Sequence, residues 1–133
     1  RAARQGTEVA VAIFDIVDFG AINEDAGRDA GDDLLRSVAA ILAGSVRLVD
    51  TVARSGADEF LLVAPGPDGA IVAQRVVDGV AELPPVGGRA VRIAVGLARF
   101  PADGTDADGI LTAAHDALGR SRPAGSDEVG TVG

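Results

Sequence analysis

Lysine, cysteine, methionine, tryptophan and tyrosine are all missing from these 133 residues, and only four Phe supply aromatic rings. Without Cys there are neither disulfides nor thiolate metal sites, and the redox compartment is left open. Without Met, even at the start, we expect a piece of a longer polypeptide. No apolar run approaches the ~20 residues of a membrane helix, and no secretory leader is visible. Positive charge is scarce too: 12 basic residues, all Arg, stand against 20 acidic ones, for a net charge of −8. That balance disfavours a nucleic-acid polymer or an anionic membrane surface as partner. It still admits a nucleotide, because a bound cation and a few Arg offset phosphates locally. Arg-only usage beside abundant Ala, Gly, Val and Asp suggests a GC-rich genome, so Arg can stand where a relative has Lys.

What is present is an apolar fraction of 47% with mean hydropathy +0.26, which belongs to a folded domain. The length fits one domain over 1–133, with no internal repeat or boundary. Arg1 to Gly6 is polar. Glu8 to Ile16 is almost continuously apolar, as in a central strand buried on both faces. Phe19 to Ala26 suits a short helical turn stopped by Gly27. A helix is expected from about Ala30 to Ala43, burying Leu34, Val38, Ile41 and Leu42, with Gly44 as its cap. A hairpin of Leu48–Ala53 and Glu59–Val63 follows. Gly69 to Leu83 reads as a second helix burying Ile71, Val72, Val76 and Val80. Ala90 to Ala98 alternates as a strand with Val91, Ile93, Val95 and Leu97 on one side. Asp106 to Leu118 gives a third helix with Ile110, Leu111, Ala114 and Leu118 inward, and Glu128 to Val132 can add an edge strand. The order βαββαβα implies an α+β, ferredoxin-like sheet, mostly antiparallel, with helices on one face.

Two acidic elements stand out. Ser55-Gly56-Ala57-Asp58 links two apolar runs as a tight hairpin in which Gly56 is free to take positive φ. Asp15 ends the first strand, and the ferredoxin-like order sets that end beside the hairpin tip. Asp15 and Asp58 can then converge on one point as a Mg²⁺ clamp, since magnesium takes one or two carboxylates and completes its shell with water and phosphate. Such a pair suits nucleotidyl transfer. A strand-end acid and a solvated turn are the bland alternatives.

The stretches Asp15-Ile16-Val17-Asp18-Phe19, Ile22-Asn23-Glu24, Gly31-Asp32, Arg54-Ser55-Gly56-Ala57-Asp58-Glu59-Phe60 and Val95-Gly96-Leu97-Ala98 together resemble a GGDEF domain of the diguanylate cyclase family. The likeness covers nearly the whole chain, although the family's preceding "LTGLxNR" segment is absent. It implies that two domains meet as a homodimer, each holding one GTP, and that each 3′-hydroxyl attacks the other α-phosphate to give cyclic di-GMP. By resemblance, Asp15, Asp58 and the Ile16 carbonyl hold Mg²⁺ (or Mn²⁺), and Asp58 and Glu59 are the catalytic acids. Asn23 and Asp32 read the guanine edge, a carboxylate accepting from guanine N–H groups. Phe19, Gly20, Gly56, Ala57 and Arg122 border the nucleotide. Arg47 and Asp50 match the family's RxxD inhibitory site for cyclic di-GMP, where Arg forks onto phosphate. The bland alternative for that pair is an ordinary surface ion pair at a strand start. Arg75 is a candidate further contact there.

Several positions depart from the family pattern. Ala57 replaces the second motif glycine, and its Cβ can crowd a backbone that approaches the triphosphate or needs positive φ. Gly20 replaces a phosphate-binding Lys, Val17 replaces an Asp and is expected to face away from the metal, and Ser126 replaces an Arg. Two missing cations imply weaker triphosphate binding, at roughly 1.5–3 kcal/mol per charge-assisted hydrogen bond. They support an alternative: a catalytically impaired module that binds GTP or cyclic di-GMP for regulation. His115, the chain's one His, reads as structural, and Arg54 as a brace for the turn. From a GTP-dependent reaction we expect the domain in the cytoplasm, free or as the cytoplasmic part of a membrane-anchored protein, with no membrane contact of its own.

Overall fold

The structure, a computed structural model, describes residues 8–121 and 130–131. Strand β1 (Val9–Ile16) leads through a two-residue turn into α1 (Phe19–Ala26) and then α2 (Arg28–Ser45). The hairpin β2 (Thr51–Arg54) and β3 (Glu59–Pro65) follows, then α3 (Gly69–Ala81), β4 (Ile93–Phe100), α4 (Ala107–Ser121) and a short β5 (Gly130–Thr131). The sheet order is β2-β3-β1-β4-β5, antiparallel throughout except for the parallel β4–β5 pair. This is the expected α+β, ferredoxin-like βαββαβ arrangement, extended by α4 and an edge strand.

The central place of β1 follows from its residues, which are apolar at both parities. Ala10, Ala12, Phe14 and Ile16 pack into the larger core with Leu34, Val38 and Leu42 of α2 and Val72, Val76 and Val80 of α3. Val11 and Ile13 point the other way, into a second core with Ile110, Ala114 and Leu118 of α4. Each fully buried large side chain contributes about 1.5–3 kcal/mol, so only a strand apolar on both faces gains from the middle position. Helices on one face therefore describe α2 and α3 alone. The correction is α4, which covers the opposite face and Val11 and Ile13 with it.

The elements start and stop where local chemistry dictates. Gly27, at φ 94°, ends α1 and opens α2, its N–H donating to the Asn23 carbonyl at 2.9 Å. A left-handed φ of this kind is open to glycine without strain. Gly44 does not cap α2, which runs on to Ser45, whose hydroxyl donates to the Ile41 carbonyl at 2.6 Å. The first hairpin strand begins at Thr51 rather than Leu48. Leu48 and Val49 form an exposed turn, because the Arg47–Asp50 pair ties the ends of that segment together. On α3 the buried stripe is Val72, Ala73, Val76, Val77 and Val80, while Ile71 lies 61% exposed, one position off the stripe. The strand expected from Ala90 starts at Ile93, yet Val91, Ile93, Val95 and Leu97 all face the larger core as their alternation predicts. Asp106 opens α4 by accepting from the Gly109 N–H at 2.8 Å.

Candidate functional site

The β1–β3 register sets Asp15 opposite Glu59, and the Ile16 N–H reaches the Asp58 carbonyl at 3.3 Å. The end of the central strand and the hairpin tip thus meet. Asp15, Ile16 and Asp58 line one open cleft of about 460 Å³ with Val17, Asp18, Phe19 and Gly119 of α4. Asp15 continues the parity of Val11 and Ile13, so it lies on the α4 side of the sheet. Val17 borders this cleft too. The turn Val17–Asp18 puts Asp18 in the left-handed region at φ 56°, and its carbonyl accepts the Ile22 N–H that starts α1. Phe19 packs on the larger core beside the cleft, whereas Gly20 is exposed with open space around it.

The hairpin tip is braced from within. The Ser55 N–H donates to the Glu59 carbonyl at 2.9 Å across a four-residue link. Arg54 folds back over it, Nε donating to the Gly56 carbonyl at 3.1 Å and Nη2 to that of Ala57. Its guanidinium steadies the turn. Among the described residues, positive φ occurs at Gly27, Gly66, Gly87, Gly88 and Asp18, so neither Gly56 nor Ala57 adopts it. This corrects the expectation for Gly56: two-residue links need positive φ, whereas a four-residue link is most often built around a turn that does not. Ala57 accordingly bears no backbone strain.

Asn23 of α1 lies against Gly31 of α2, where a Cβ would fall 1.7 Å from Asn23 Oδ1. The absence of a side chain at Gly31 is what lets Asn23 pack against α2 there. Asn23 Oδ1 is buried with no hydrogen-bond partner among the described residues, and Asp32 is exposed. Asp32, Leu35, Arg36 and Ala39 of α2 face Val52, Ala53 and Arg54 of β2 and Phe60 of β3 across a pocket of about 390 Å³. An acid at the rim and Leu35 and Phe60 in the wall suit a flat, polar-edged ring.

Arg47 and Asp50 are brought together more tightly than a ligand site requires. Arg47 Nη2 donates to Asp50 Oδ1 at 2.8 Å, Nε reaches Oδ2 at 3.1 Å, and the Arg47 N–H donates to Oδ2 at 2.7 Å. The Asp50 side chain is 0% exposed against 32% for Arg47. The hydrogen bond from Arg47 holds the Asp50 carboxyl below the ordinary 3.8 against its burial, and the same bond raises the Arg47 guanidinium. Arg47 also donates to the Pro65 carbonyl at 2.9 Å and stands 3.9 Å from Asp68. Arg75 donates to the Ser45 carbonyl at 2.9 Å, and its charge helps to lower Asp50. Arg122 and Ser126 lie outside the described residues.

Sequence reasoning missed one contact beside the site. His115 of α4, expected to be structural, stands with Nε2 3.5 Å from Glu59 Oε1. No sequence spacing links a helix to a hairpin so far away in the chain. Nor does any group of three or more His, Cys, Asp or Glu gather at one point among the described residues. Two carboxylates and a backbone carbonyl, all hard oxygen donors, fit a hydrated Mg²⁺ or Mn²⁺ that leaves most of its shell to phosphate and water. None of the described helices is long and apolar enough to cross a membrane.

Residues 1–128 match the family model described as the diguanylate cyclase, GGDEF domain. The bifunctional diguanylate cyclase/cyclic di-GMP phosphodiesterase MucR of Pseudomonas aeruginosa is 32% identical over 94% of this chain, which spans 19% of that protein. The response regulator PleD of Caulobacter vibrioides is 30% identical over 97% of the chain, which spans 30% of it. Among solved structures, an EAL/GGDEF domain protein from M. capsulatus superposes with a TM-score of 0.85 at 32% identity, covering 98% of this chain and 88% of that one.

Proposed function

The chain belongs to the GGDEF family of diguanylate cyclase domains, and from that premise we propose that it condenses two GTP into cyclic di-GMP and two pyrophosphates. The observation that carries the reading is the meeting of Asp15 and Asp58 in one cleft, through the β1–β3 register. Asp15, Asp58 and the Ile16 carbonyl would hold Mg²⁺ or Mn²⁺, which when bound polarises the α-phosphate and neutralises the departing pyrophosphate. Asp32 accepts from guanine N1–H and N2–H, Asn23 meets the same base, and Leu35 and Phe60 exclude water from its faces. Phe19, Gly20, Gly56 and Ala57 border the phosphates. Glu59 takes the 3′-hydroxyl proton as the new P–O bond forms. One chain holds one nucleotide, so the second GTP comes with a second copy facing the first. Supply of GTP sets this reaction in the cytoplasm.

Arg47 is the group offered to product cyclic di-GMP at an inhibitory site, its guanidinium forking onto a phosphate. Asp50 is saturated by Arg47 and serves to hold that guanidinium, rather than to pair with a base. A second reading is favoured by Gly20, whose surroundings are empty where a phosphate-binding cation is expected. On it the domain binds GTP or cyclic di-GMP and regulates without turnover.

The test is product analysis after incubating GTP and Mg²⁺ with the chain joined to a dimerising coiled coil. Cyclic di-GMP is the expected product, and Asp58→Asn is expected to remove it while the melting temperature stays near that of the wild type. Unchanged product from Asp58→Asn would sink the cyclase reading. No product from a well-folded dimer, with nucleotide binding retained by calorimetry, would establish the regulatory one.

A further inference from the structure

We propose that His115 is a positioning residue for Glu59, coupling α4 to the motif hairpin. His115 Nδ1 lies 3.0 Å from the Leu111 carbonyl one turn back along α4. A carbonyl only accepts, so Nδ1 carries a proton and the helix fixes the ring's orientation. Nε2 lies 3.5 Å from Glu59 Oε1, and the same oxygen accepts from Ser55 Oγ at 3.0 Å. Glu59 is held from two sides, by its own turn and by a helix from the far end of the chain. Asp15 stands beside the pair, opposite Glu59 in the β1–β3 register.

The approach of α4 is itself built into the sheet. At Gly96 of β4 a Cβ would fall 2.1 Å from the Ala114 carbonyl, so only a bare backbone lets the helix settle there. Ala114 is the neighbour of His115, and this close seat brings the imidazole within reach of β3. The contact stands on geometry alone. Its consequence for turnover rests on the cyclase reading, in which Glu59 takes the proton from the attacking hydroxyl.

Because the chain has one His, its ring resonances report this contact without assignment ambiguity. The experiment compares the dimerised chain as wild type, His115→Leu, His115→Lys, Glu59→Gln and, as a control on the opposite face of the sheet, Asp33→Asn. Glu59→Gln should shift the imidazole resonances and Asp33→Asn should not. His115→Leu should lower kcat roughly tenfold while KM for GTP stays within about twofold, as for loss of an oriented group rather than of binding. His115→Lys, which sets an N–H donor beside the same oxygen, should recover most of the rate. Since His115 is half exposed, none of these changes opens a cavity. Imidazole resonances indifferent to Glu59→Gln, or an unchanged kcat in His115→Leu, would overturn the proposal. A wild type that makes no cyclic product would sink the cyclase reading separately, and the resonances would still decide the contact.

Discussion

Ala57 carries a methyl group at the hairpin tip, and the backbone there is not strained, because its φ is not positive. What remains is steric: whether that Cβ stands between the tip backbone and a triphosphate. Ala57→Gly should lower stability by about 0.4–1 kcal/mol, since glycine gains unfolded-state freedom at a position alanine already occupies comfortably. Urea denaturation reads that loss. The same variant should lower KM for GTP by freeing the approach to the backbone. A KM that does not fall would show that the methyl points clear of the nucleotide. The meeting of Asp15 and Asp58 was legible in the sequence, because the ferredoxin-like order sets the end of β1 beside the hairpin tip. His115 was not, because its partner is set by helix docking rather than by spacing.

Docking of α4 depends on one position of β4. Gly96→Ala would put a methyl 2.1 Å from the Ala114 carbonyl and 2.2 Å from the Leu118 nitrogen, both backbone atoms that cannot rotate away. The helix must lift, and overpacking of this kind costs about 1–3 kcal/mol or more. Thermal melts should show the loss, and Asp15 and Glu59 should lose their neighbour with it. An unshifted melting curve would mean that α4 is not seated on Gly96. At this scale most elements could be read from periodicity, α2 and α3 above all, since a 3.6-residue apolar stripe has few competing explanations. The start of β2 was misread because Leu48 and Val49 are apolar yet exposed, pushed out by the turn that Arg47 and Asp50 close. The place of α4 was within reach as well. A strand apolar at both parities, as Val9 to Phe14 is, demands cover on both faces, and α2 with α3 can supply only one.

For the whole molecule, the chemistry proposed needs two copies, each with a net charge of −8. Like-charged partners meet slowly at low ionic strength, and salt near physiological levels screens the repulsion beyond about 8 Å. Without a fused coiled coil, product formed per chain should therefore rise with chain concentration, and rise again as salt is raised from low values; a rate per chain independent of concentration would argue for turnover within one copy. The site is also mechanically unequal within a single copy. Asp15 belongs to β1, which is hydrogen-bonded on both edges and buried on both faces, so its backbone opens only when the domain unfolds. Asp58 ends an exposed tip braced by bonds within its own turn, and one bond, from the Ile16 N–H to its carbonyl, ties it to β1. The two acids are a fixed jaw and a movable one: adjustment to a nucleotide falls to the hairpin, while the central strand serves as the anvil it closes upon.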